Sequence, residues 1–361
     1  MDIAIDFEIV RVRLGWDGER QSQLEACGDP SLVGARVSVE HRGAYGLAGC
    51  AVETARLAGR FRVGDADWPT VGDWVAVRPD GGVGVIQHVL PRAGLLERKR
   101  PGANRAQTVA ANVDVVFVVT SAERPPNLRR VERTMAVVAA GGARPVIVLN
   151  KVDLAADPAG DLRALAAIAG GAPCLASSAA SGAGLDGLRA ALPPGTTGAL
   201  LGPSGAGKSS LVNALLGDAR LATGTVRLTD AKGRHTTTRR QLIELPGSGC
   251  LIDTPGMREL GLWQAGEGIE RTFDDVAALA AACRFRDCRH GDEPGCAVAA
   301  ARAAGALDEG RYASFEKLRR EQAFLERQQD PRAAAGTKGR WKAIHKQQRA
   351  RRRVDPKLRD D

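Results

Sequence analysis

Residues 202–209 read Gly202-Pro203-Ser204-Gly205-Ala206-Gly207-Lys208-Ser209, and this stretch decides the fold of the segment around it. It matches the pattern G-x-x-x-x-G-K-[ST], follows the apolar run 198–201 and opens the helix-forming run 209–216. In such a loop, backbone N–H groups curl around phosphate oxygens, and the following helix adds the positive end of its dipole. The context predicts a phosphate-binding loop, and the alternative is a glycine-rich turn that matches by chance.

The side chains of this loop have separate expected roles. Lys208 would reach the β- and γ-phosphates of a nucleotide, which places it among the candidate catalytic residues, and the Ser209 hydroxyl would ligate Mg²⁺. The loop alone identifies a nucleotide site without saying which base is bound. The residues expected to surround the phosphates are Gly202, Pro203, Ser204, Gly205, Ala206, Gly207, Lys208, Ser209 and Ser210.

A second motif, Asn150-Lys151-Val152-Asp153, follows the apolar run 145–149. An N-K-x-D sequence at the end of a buried strand is typical of guanine recognition in P-loop GTPases. The Asp153 carboxylate would accept hydrogen bonds from guanine N1–H and the 2-amino group, and ATP would leave this carboxylate unpaired. Asn150 would contact the ring edge and tie this loop to the phosphate loop, while Lys151 covers the ring face. Read alone, the motif also fits a helix N-cap.

A companion loop follows the predicted strand 173–177. Its residues Ser178 and Ala179 could offer a backbone N–H to guanine O6, which makes both candidate base contacts.

Two further motifs fit the switch segments of a GTPase. Asp253-Thr254-Pro255-Gly256 matches D-x-x-G, so Asp253 would hold Mg²⁺ through water and the Gly256 N–H would sense the γ-phosphate. Between this motif and the phosphate loop lies the threonine run 236–238. One of these hydroxyls would complete the Mg²⁺ shell, and Thr237 is taken as the candidate, although a threonine run is also common in strands.

The group that orients the attacking water is harder to predict. Ras-like enzymes use a glutamine directly after D-x-x-G, but Met257 stands there and cannot orient water. Some other group must then position the water, or a partner supplies it. We hypothesise that His235, beside the threonine run, has this catalytic role; the alternative is an incidental surface histidine. Arg234 and Arg239 are possible charge-stabilising groups, and nothing in the sequence selects between them.

These motifs lie in an alternation of apolar strands and amphipathic helices across residues 104–262. Wholly apolar strands joined by helices predict a parallel sheet covered on both faces. The predicted strands are 113–119, 145–149, 173–177, 197–201 and 248–253, and the predicted helices are 127–140, 161–168, 185–192 and 208–216. The base-reading motif precedes the phosphate loop, whereas GTPases commonly begin with the phosphate loop. The unit is therefore predicted to be a circularly permuted GTPase domain.

Residues 33–98, which precede this unit, have a different sequence pattern. They follow an N-terminal extension, residues 1–32, to which no function is assigned. Five short alternating runs predict a small closed barrel of SH3 or OB type. The predicted strands are 35–39, 46–52, 61–63, 73–77 and 83–87. An OB-like barrel could bind RNA on one face, and a purely structural barrel is the alternative of equal weight.

Residues 263–330 contain a compact cluster of possible metal ligands. Cys283, Cys288, His290 and Cys296 would supply a closed Cys₃His tetrahedron, which predicts a structural zinc site in a mainly helical domain. Four protein ligands leave no open position for catalysis, so the metal would have a structural role. The alternative is a set of buried thiols beside a surface histidine.

Charge and composition bound the environment and the partners. The chain has 361 residues and a net charge of +9. Eleven Lys or Arg against three Asp give residues 332–361 a charge of +8, so the tail 331–361 carries most of the excess. Such a block indicates a polyanionic partner or a solvated tail. An odd, scattered set of seven cysteines, no signal peptide and no long apolar run predict a cytoplasmic protein without a membrane partner.

Taken together, these features resemble the ribosome small-subunit-dependent GTPase A family (RsgA, also called YjeQ). The resemblance rests on the barrel, the permuted motif order, G-R-H-T-T-T at 233–238, Arg258-Glu259 after D-T-P-G, and the ligand spacing at 283–296. It implies a multidomain protein: an OB-like β-barrel, a central α/β circularly permuted P-loop GTPase and a C-terminal, mainly helical zinc-binding domain. It further implies GTP or GDP with Mg²⁺, one structural Zn²⁺ and a monomeric, cytoplasmic GTPase stimulated by the small ribosomal subunit.

The family's partner is small-subunit rRNA, which barrel and zinc domain would contact, and hydrolysis would release the protein from the matured subunit. Two other functions stay open on the residues. One is a non-enzymatic RNA-binding assembly factor with GTP as a slow structural ligand, which Met257 keeps possible. The other is an ATP-driven transporter or helicase subunit, which the N-K-x-D motif disfavours.

Overall fold

A computed structural model of the chain describes residues 6–41, 43–62, 68–99, 106–217, 240–253, 265–291 and 293–329. The segments that carry His235, Thr237, Gly256 and the basic tail lie outside the described residues. In the part of the chain that is described, no helix combines the length and the apolar character needed to span a bilayer.

Two short helices form the N-terminal extension. Helix α1 spans Phe7–Arg13 and helix α2 spans Gly18–Glu25. Each begins after an aspartate whose carboxylate accepts backbone N–H groups of the first turn, Asp6 for α1 and Asp17 for α2.

The barrel follows as five strands. They are β1 Val33–His41, β2 Ala44–Ala48, β3 Thr54–Leu57, β4 Trp74–Asp80 and β5 Val83–Val89. The strands pair in the ring β1-β2-β3-β5-β4, which β4 closes by pairing with β1, and β3 and β5 run parallel. Alternate side chains of the strands fill the centre, as a closed barrel requires. The predicted five-stranded OB-like barrel is confirmed.

One predicted strand of the barrel is wrong. Residues 61–63 were expected to pair, but Gly59–Arg62 is a 3-10 helix in which the Phe61 side chain plugs the barrel core. The third strand is instead Thr54–Leu57. Gly49, with a φ of +79°, turns the chain after Ala48, so β2 ends there and the chain returns as β3.

A small hairpin joins the barrel to the central domain, and the sequence did not anticipate it. Strand β6, Leu96–Lys99, pairs antiparallel with β7, Ala106–Ala110.

In the described part of the central domain, six strands form a sheet between helices. Its strands are β8 Val115–Ser121, β9 Arg144–Asn150, β10 Cys174–Ser177, β11 Thr197–Leu201, β12 Gln241–Glu244 and β13 Cys250–Asp253. Its helices are α3 Leu128–Ala140, α4 Pro158–Ile168, α5 Leu185–Ala190 and α6 Lys208–Leu216. The strand order is β10-β9-β8-β11-β13-β12, parallel except for β12.

Burial on both faces explains the wholly apolar strands. In β8, Val115, Phe117 and Val119 pack with α5 and α6, whereas Val116 and Val118 pack with α3, α4 and the C-terminal helices. Neither face meets water, so both registers of the strand must be apolar. The predicted α/β architecture is confirmed; β12, only four residues long, was not predicted.

Within the described residues, four helices follow the central domain: α7 Gly266–Thr272, α8 Asp274–Ala281, α9 Ala297–Ala303 and α10 Glu309–Gln329. They dock on α3 through a buried arginine of α10. Arg311 donates to Glu132 at 2.9 Å and, through two nitrogens, to Asp275 at 2.6 and 2.7 Å. The Arg311 side chain is 8% exposed and the Glu132 side chain 2% exposed. The C-terminal helices are therefore attached to the central domain through an ion network in which Arg311 and Glu132 are buried and Asp275 is partly exposed.

A second buried arginine links the other end of the chain. Arg36 of β1 donates to the carbonyl oxygens of Leu14, Gly72 and Asn112, and its guanidinium lies 5.1 Å from the Trp74 ring centroid. Burial lowers the pKa of Arg36 to about 10. These contacts join the N-terminal extension, the barrel and the approach to β8 at one buried point.

Candidate functional site

The phosphate loop lies between β11 and α6, at the carboxyl edge of the sheet. Leu201 pairs with Val118, and the loop then turns sharply at Gly202. A Cβ built on Gly202 would lie 2.1 Å from the Val119 carbonyl oxygen, so only glycine fits here. The close approach of the loop to strand β8 therefore requires glycine at the first position of the motif.

Lys208 holds the loop in a curled form. Its ammonium Nζ donates to the carbonyl oxygens of Gly202 at 2.7 Å and Pro203 at 2.8 Å. A bound phosphate could take over these hydrogen bonds, because a charged phosphate oxygen is a stronger acceptor for an ammonium than a carbonyl oxygen is. Ser204, Ser209 and Ser210 are exposed beside it.

Asn150 connects the base-reading motif to the phosphate loop. Its side-chain Nδ2 donates to the Ala206 carbonyl oxygen at 2.9 Å, and its Oδ1 accepts from the Ser177 hydroxyl at 3.3 Å. All three residues are buried. The two motifs are 56 residues apart in sequence, yet the parallel order of β9, β8 and β11 brings their ends together. This tie between the loops was predicted; the Ser177 contribution was not.

Gly207 makes the tie possible. Its φ is +86°, and a Cβ there would lie 2.3 Å from Asn150 Nδ2. Because Gly207 has no side chain, the Asn150 amide can reach the Ala206 carbonyl oxygen.

Lys151 and Asp153 stand at the open side of this junction. Lys151 adopts a left-handed backbone conformation with φ of +63°, and its Nζ lies 2.9 Å from the Glu123 carboxylate. The hydrogen bond from Lys151 lowers the pKa of Glu123. Asp153 is exposed in the 3-10 turn Val152–Leu154, where its carboxylate is accessible to a base. Sequence reasoning missed Glu123, whose only signal was its position just beyond the neighbouring strand β8.

The companion loop is closed by its own hydrogen bonds. The Ser178 N–H donates to the Ala183 carbonyl oxygen at 2.9 Å, and the Ser178 hydroxyl accepts from the Ser181 N–H at 3.1 Å. Of the two predicted amides, that of Ser178 is therefore engaged within the turn, which leaves Ala179 as the better candidate for a base contact.

Asp253 ends β13, beside the strand that leads into the phosphate loop. Ala199 of β11 pairs with Ile252, one residue before Asp253. On its other side Asp253 pairs with Gln241 of β12. The aspartate thus lies at the same carboxyl edge as the phosphate loop, as a Mg²⁺-holding carboxylate must. The other predicted switch residues, Gly256, Thr237 and His235 among them, lie outside the described residues.

The four predicted metal ligands come together. Their ligand atoms all lie within 4.8 Å of one another, with Cys283 Sγ 3.9 Å from Cys296 Sγ, and His290 Nδ1 3.6 and 3.8 Å from these two sulfurs. Tetrahedral zinc, with bonds of about 2.3 Å to sulfur and about 2.0 Å to nitrogen, needs S···S separations of about 3.8 Å and S···N separations of about 3.6 Å. The donor set and its spacing fit a closed zinc site.

Local backbone features position these ligands. His290 has a φ of +62°, and its ring lies beside the thiols of Cys283 and Cys296. The Glu293 carboxylate accepts from the N–H groups of Arg289 at 3.0 Å and Gly291 at 2.7 Å and so holds the turn around His290. Cys296 is the N-cap of α9, where its Sγ accepts from the Ala299 N–H at 3.3 Å. One thiol therefore serves both the helix and the cluster.

The order of these motifs on one sheet defines a class of protein. The N-K-x-D motif at 150–153 comes first, the phosphate-loop motif second and the D-x-x-G aspartate, Asp253, third, which is the arrangement of a circularly permuted P-loop GTPase. The chain is similar over 81% of its length to the crystal structure of YjeQ from Thermotoga maritima, at 29% identity, with 99% of that chain covered and a TM-score of 0.62. The structure of YloQ, described as a circularly permuted GTPase, shares the fold at 24% identity and a TM-score of 0.59, with 81% of this chain and 95% of YloQ covered.

Sequence comparison narrows the class. The RsgA GTPase family model matches residues 89–263. The small ribosomal subunit biogenesis GTPase RsgA of Opitutus terrae is 48% identical over 95% of this chain and 98% of its own length. The protein of the same name from Methanosarcina acetivorans is 42% identical over 86% of this chain and 85% of its own. The chain belongs to the RsgA GTPase family.

Proposed function

We propose that this chain hydrolyses GTP to GDP and phosphate in the cytoplasm, in the course of small ribosomal subunit maturation. The observation that carries the proposal is the buried hydrogen bond from Asn150 to Ala206, because it joins a guanine-reading loop to a phosphate loop in one site. The names of the relatives, small ribosomal subunit biogenesis GTPases, support the biological setting.

Base selection follows from the exposed carboxylate of Asp153. It can accept two hydrogen bonds from guanine N1–H and the 2-amino group, whereas adenine offers neither donor in that position. The Lys151 stem covers one face of the ring, with its ammonium held by Glu123 at 2.9 Å. Ala179 supplies the N–H for guanine O6.

Phosphate binding uses the curled loop 202–210. Lys208 exchanges its hydrogen bonds to loop carbonyls for the β- and γ-phosphate oxygens. Ser209, Thr237 and Asp253 would hold Mg²⁺, which neutralises the charge on the phosphates when bound. Gly256 would meet the γ-phosphate through its N–H.

Hydrolysis also needs a group that orients water, and we assign this role to His235 because Met257 cannot perform it. Replacement His235→Ala should lower GTP turnover at saturating GTP by about 100-fold, the range for one acid–base or water-orienting group, with GDP affinity unchanged. Turnover at the parent rate in the presence of small subunits would remove His235 from the mechanism.

The zinc site is structural in this proposal. Cys283, Cys288, His290 and Cys296 would hold one Zn²⁺, with no position left for a substrate. The metal would stabilise the turn around residues 283–296 and the start of α9.

The partner is the small ribosomal subunit, bound through its rRNA by a monomer. The basic tail 331–361, at +8 over residues 332–361, supports a polyanionic partner. The deciding experiment measures GTP hydrolysis by the full chain with and without purified small subunits, and with large subunits as the control. Stimulation by small subunits alone supports the proposal. Binding to small subunits without stimulated hydrolysis would instead support the non-enzymatic assembly factor.

A further inference from the structure

A row of three paired residues crosses from the barrel into the nucleotide site. Val39 of barrel strand β1 pairs with Gln241, the first residue of β12, and Gln241 pairs on its other side with Asp253 at the end of β13. The barrel strand is thus added to the outer edge of the nucleotide-binding sheet. The barrel strand is attached at Gln241, which is paired with Asp253, the aspartate that holds Mg²⁺ in the proposed function.

The described part of this attachment is short. Among the described residues, Val39 and Gln241 are the one registered pair between β1 and β12, and a single pair provides little of the cooperative stability of a ladder. Side-chain contacts beside this pair therefore add to what holds the row together.

Arg240 supplies such a contact. It precedes Gln241, and its Nη1 lies 3.7 Å from the Oε2 of Glu40, which follows Val39. The Arg240 side chain is 21% exposed and the Glu40 side chain 43%. Burial lowers the pKa of Arg240, Glu40 raises it, and the nearby cation Arg98 lowers it. Arg240 thus lies near one anion, Glu40, and one cation, Arg98, so losing the anion leaves repulsion between the two arginines rather than a neutral gap.

We propose that Arg240 is a positioning residue for the Mg²⁺ aspartate: its ion pair with Glu40 fastens the start of β12 to the barrel, and the row Val39–Gln241–Asp253 carries that restraint to Asp253. The inference rests on the proposed function, because it needs a nucleotide and Mg²⁺ at this edge of the sheet. It goes further by making the barrel part of the metal-binding geometry.

The other end of β12 provides a matched control. Arg13 of α1 donates to Glu244 at 2.7 Å, and these side chains are 55% and 35% exposed. Glu244 pairs with Cys250, three residues before Asp253. This ion pair also joins the N-terminal part of the chain to β12, but away from the site.

The experiment compares the parent with the single variants Glu40→Arg and Arg240→Glu, the exchanged pair E40R/R240E, and the control Arg13→Glu, all in the full chain. The first readout is the Mg²⁺ concentration that gives half of the maximal Mg²⁺-dependent tightening of GDP binding, measured by fluorescence titration. The second is hydrogen exchange of the β12 and β13 amides without nucleotide.

Both single variants should need about threefold to tenfold more Mg²⁺, below the loss typical of a residue that directly contacts a metal ligand, since Arg240 acts through two strands. The β12 amides near Gln241 should exchange faster. The exchanged pair should restore both readouts, because Glu at position 240 would then face two cations, and Arg13→Glu should leave the Mg²⁺ requirement unchanged.

Unchanged Mg²⁺ requirements in both single variants would overturn the inference while leaving GTP hydrolysis intact. An equal shift in Arg13→Glu, or no recovery in the exchanged pair, would also overturn it, because general loosening of β12 would then explain the effect. A parent chain that binds GDP without any Mg²⁺ dependence and does not hydrolyse GTP would overturn the proposed function itself.

Discussion

The Asn150 amide nitrogen lies 2.9 Å from the Ala206 carbonyl oxygen, and this contact makes base recognition and phosphate binding parts of one structure. Asn150 ends β9, and Ala206 lies in the loop between β11 and α6, with β8 between the two strands. A change on either side of the contact should therefore affect both halves of nucleotide binding.

Replacing Asp153 by asparagine should change base selection. The amide cannot accept both hydrogen bonds from guanine, and two charge-assisted hydrogen bonds of about 1.5–3 kcal/mol each correspond to at least a 100-fold loss of GDP affinity. Xanthine has a carbonyl in place of the 2-amino group, so xanthosine diphosphate should bind Asp153→Asn better than it binds the parent. Calorimetric titration with both nucleotides checks this.

Asp157→Asn is the control for this substitution. Asp157 caps α4 by accepting from the Gly160 N–H at 2.8 Å, and asparagine caps equally well. Its GDP affinity should match the parent's. If Asp153→Asn kept its preference for GDP over xanthosine diphosphate, Asp153 would not be the base reader.

The two glycines of the phosphate loop with similar backbone angles should respond differently to alanine. Gly205 has φ of +84° and open space around its missing Cβ, whereas a Cβ on Gly207, at φ of +86°, would lie 2.3 Å from Asn150 Nδ2. Gly205→Ala should cost about 1–2 kcal/mol of stability from backbone strain alone. Gly207→Ala should cost more, since it also displaces the Asn150 amide from Ala206.

Thermal unfolding without nucleotide and GDP titration separate the two effects. Gly207→Ala should weaken GDP binding by at least about tenfold, the value of one lost buried hydrogen bond. Equal unfolding temperatures and equal GDP affinities for the two variants would show that the loop does not depend on the contact with Asn150.

The local chemistry of this site could be predicted from sequence because each motif carries its own context. Residues 202–209 follow an apolar strand and begin a helix, and Asn150 follows another apolar strand, so a parallel sheet must bring them to one edge. The cysteine and histidine spacing at 283–296 similarly specifies a metal cluster without knowledge of the fold.

Contacts between distant segments could not be predicted in this way. Arg311 and Glu132 are 179 residues apart, and neither belongs to a motif. The Val39–Gln241 pair joins two domains through one residue of a four-residue strand, which carries too little periodicity to detect. The mistaken strand at 61–63 has a different cause. Phe61 is buried in the barrel core as a strand residue would be, although it belongs to a 3-10 helix.

The Arg311 network predicts a large loss of stability on truncation. Arg311→Met would leave the Glu132 carboxylate buried without its cation, and breaking such a pair costs about 3–5 kcal/mol. Arg320→Ala removes an exposed pair with Glu316 and should cost less than about 0.5 kcal/mol. Denaturant unfolding of both variants measures the difference. Similar losses for the two would mean that Arg311 is not the residue that docks the C-terminal helices.

The Arg311→Met defect should also depend on pH. Burial already raises the pKa of Glu132 in the parent, and removal of the cation raises it further. A carboxyl group whose folded pKa is raised contributes stability below its unfolded pKa and loses that contribution as pH rises through the folded value. The stability difference between parent and Arg311→Met should therefore grow as the pH rises through the folded pKa of Glu132 in the parent, which lies above 4.5, toward the higher folded pKa in the variant. Adding Glu132→Gln to the variant should abolish this pH dependence.

The metal cluster can be tested with a substitution that separates the two roles of Cys296, as N-cap of α9 and as zinc ligand. Cys296→Ser keeps an oxygen at the N-cap of α9, where the thiol accepts from the Ala299 N–H, but removes one zinc ligand. We expect bound zinc to fall from one per chain to well below half, measured by elemental analysis after dialysis against a weak chelator. Amides of residues 283–303 should then exchange faster, because binding energy at a structural zinc site is folding energy.

Cys174→Ser is the matched control, since Cys174 is half-buried in β10, remote in sequence from the cluster. It should retain one zinc and parent-like exchange in residues 283–303. If Cys296→Ser retained a full equivalent of zinc, Cys296 would not be a ligand. If it lost zinc without faster exchange around α9, the cluster would bind metal without stabilising the turn, and the structural role proposed for it would be wrong.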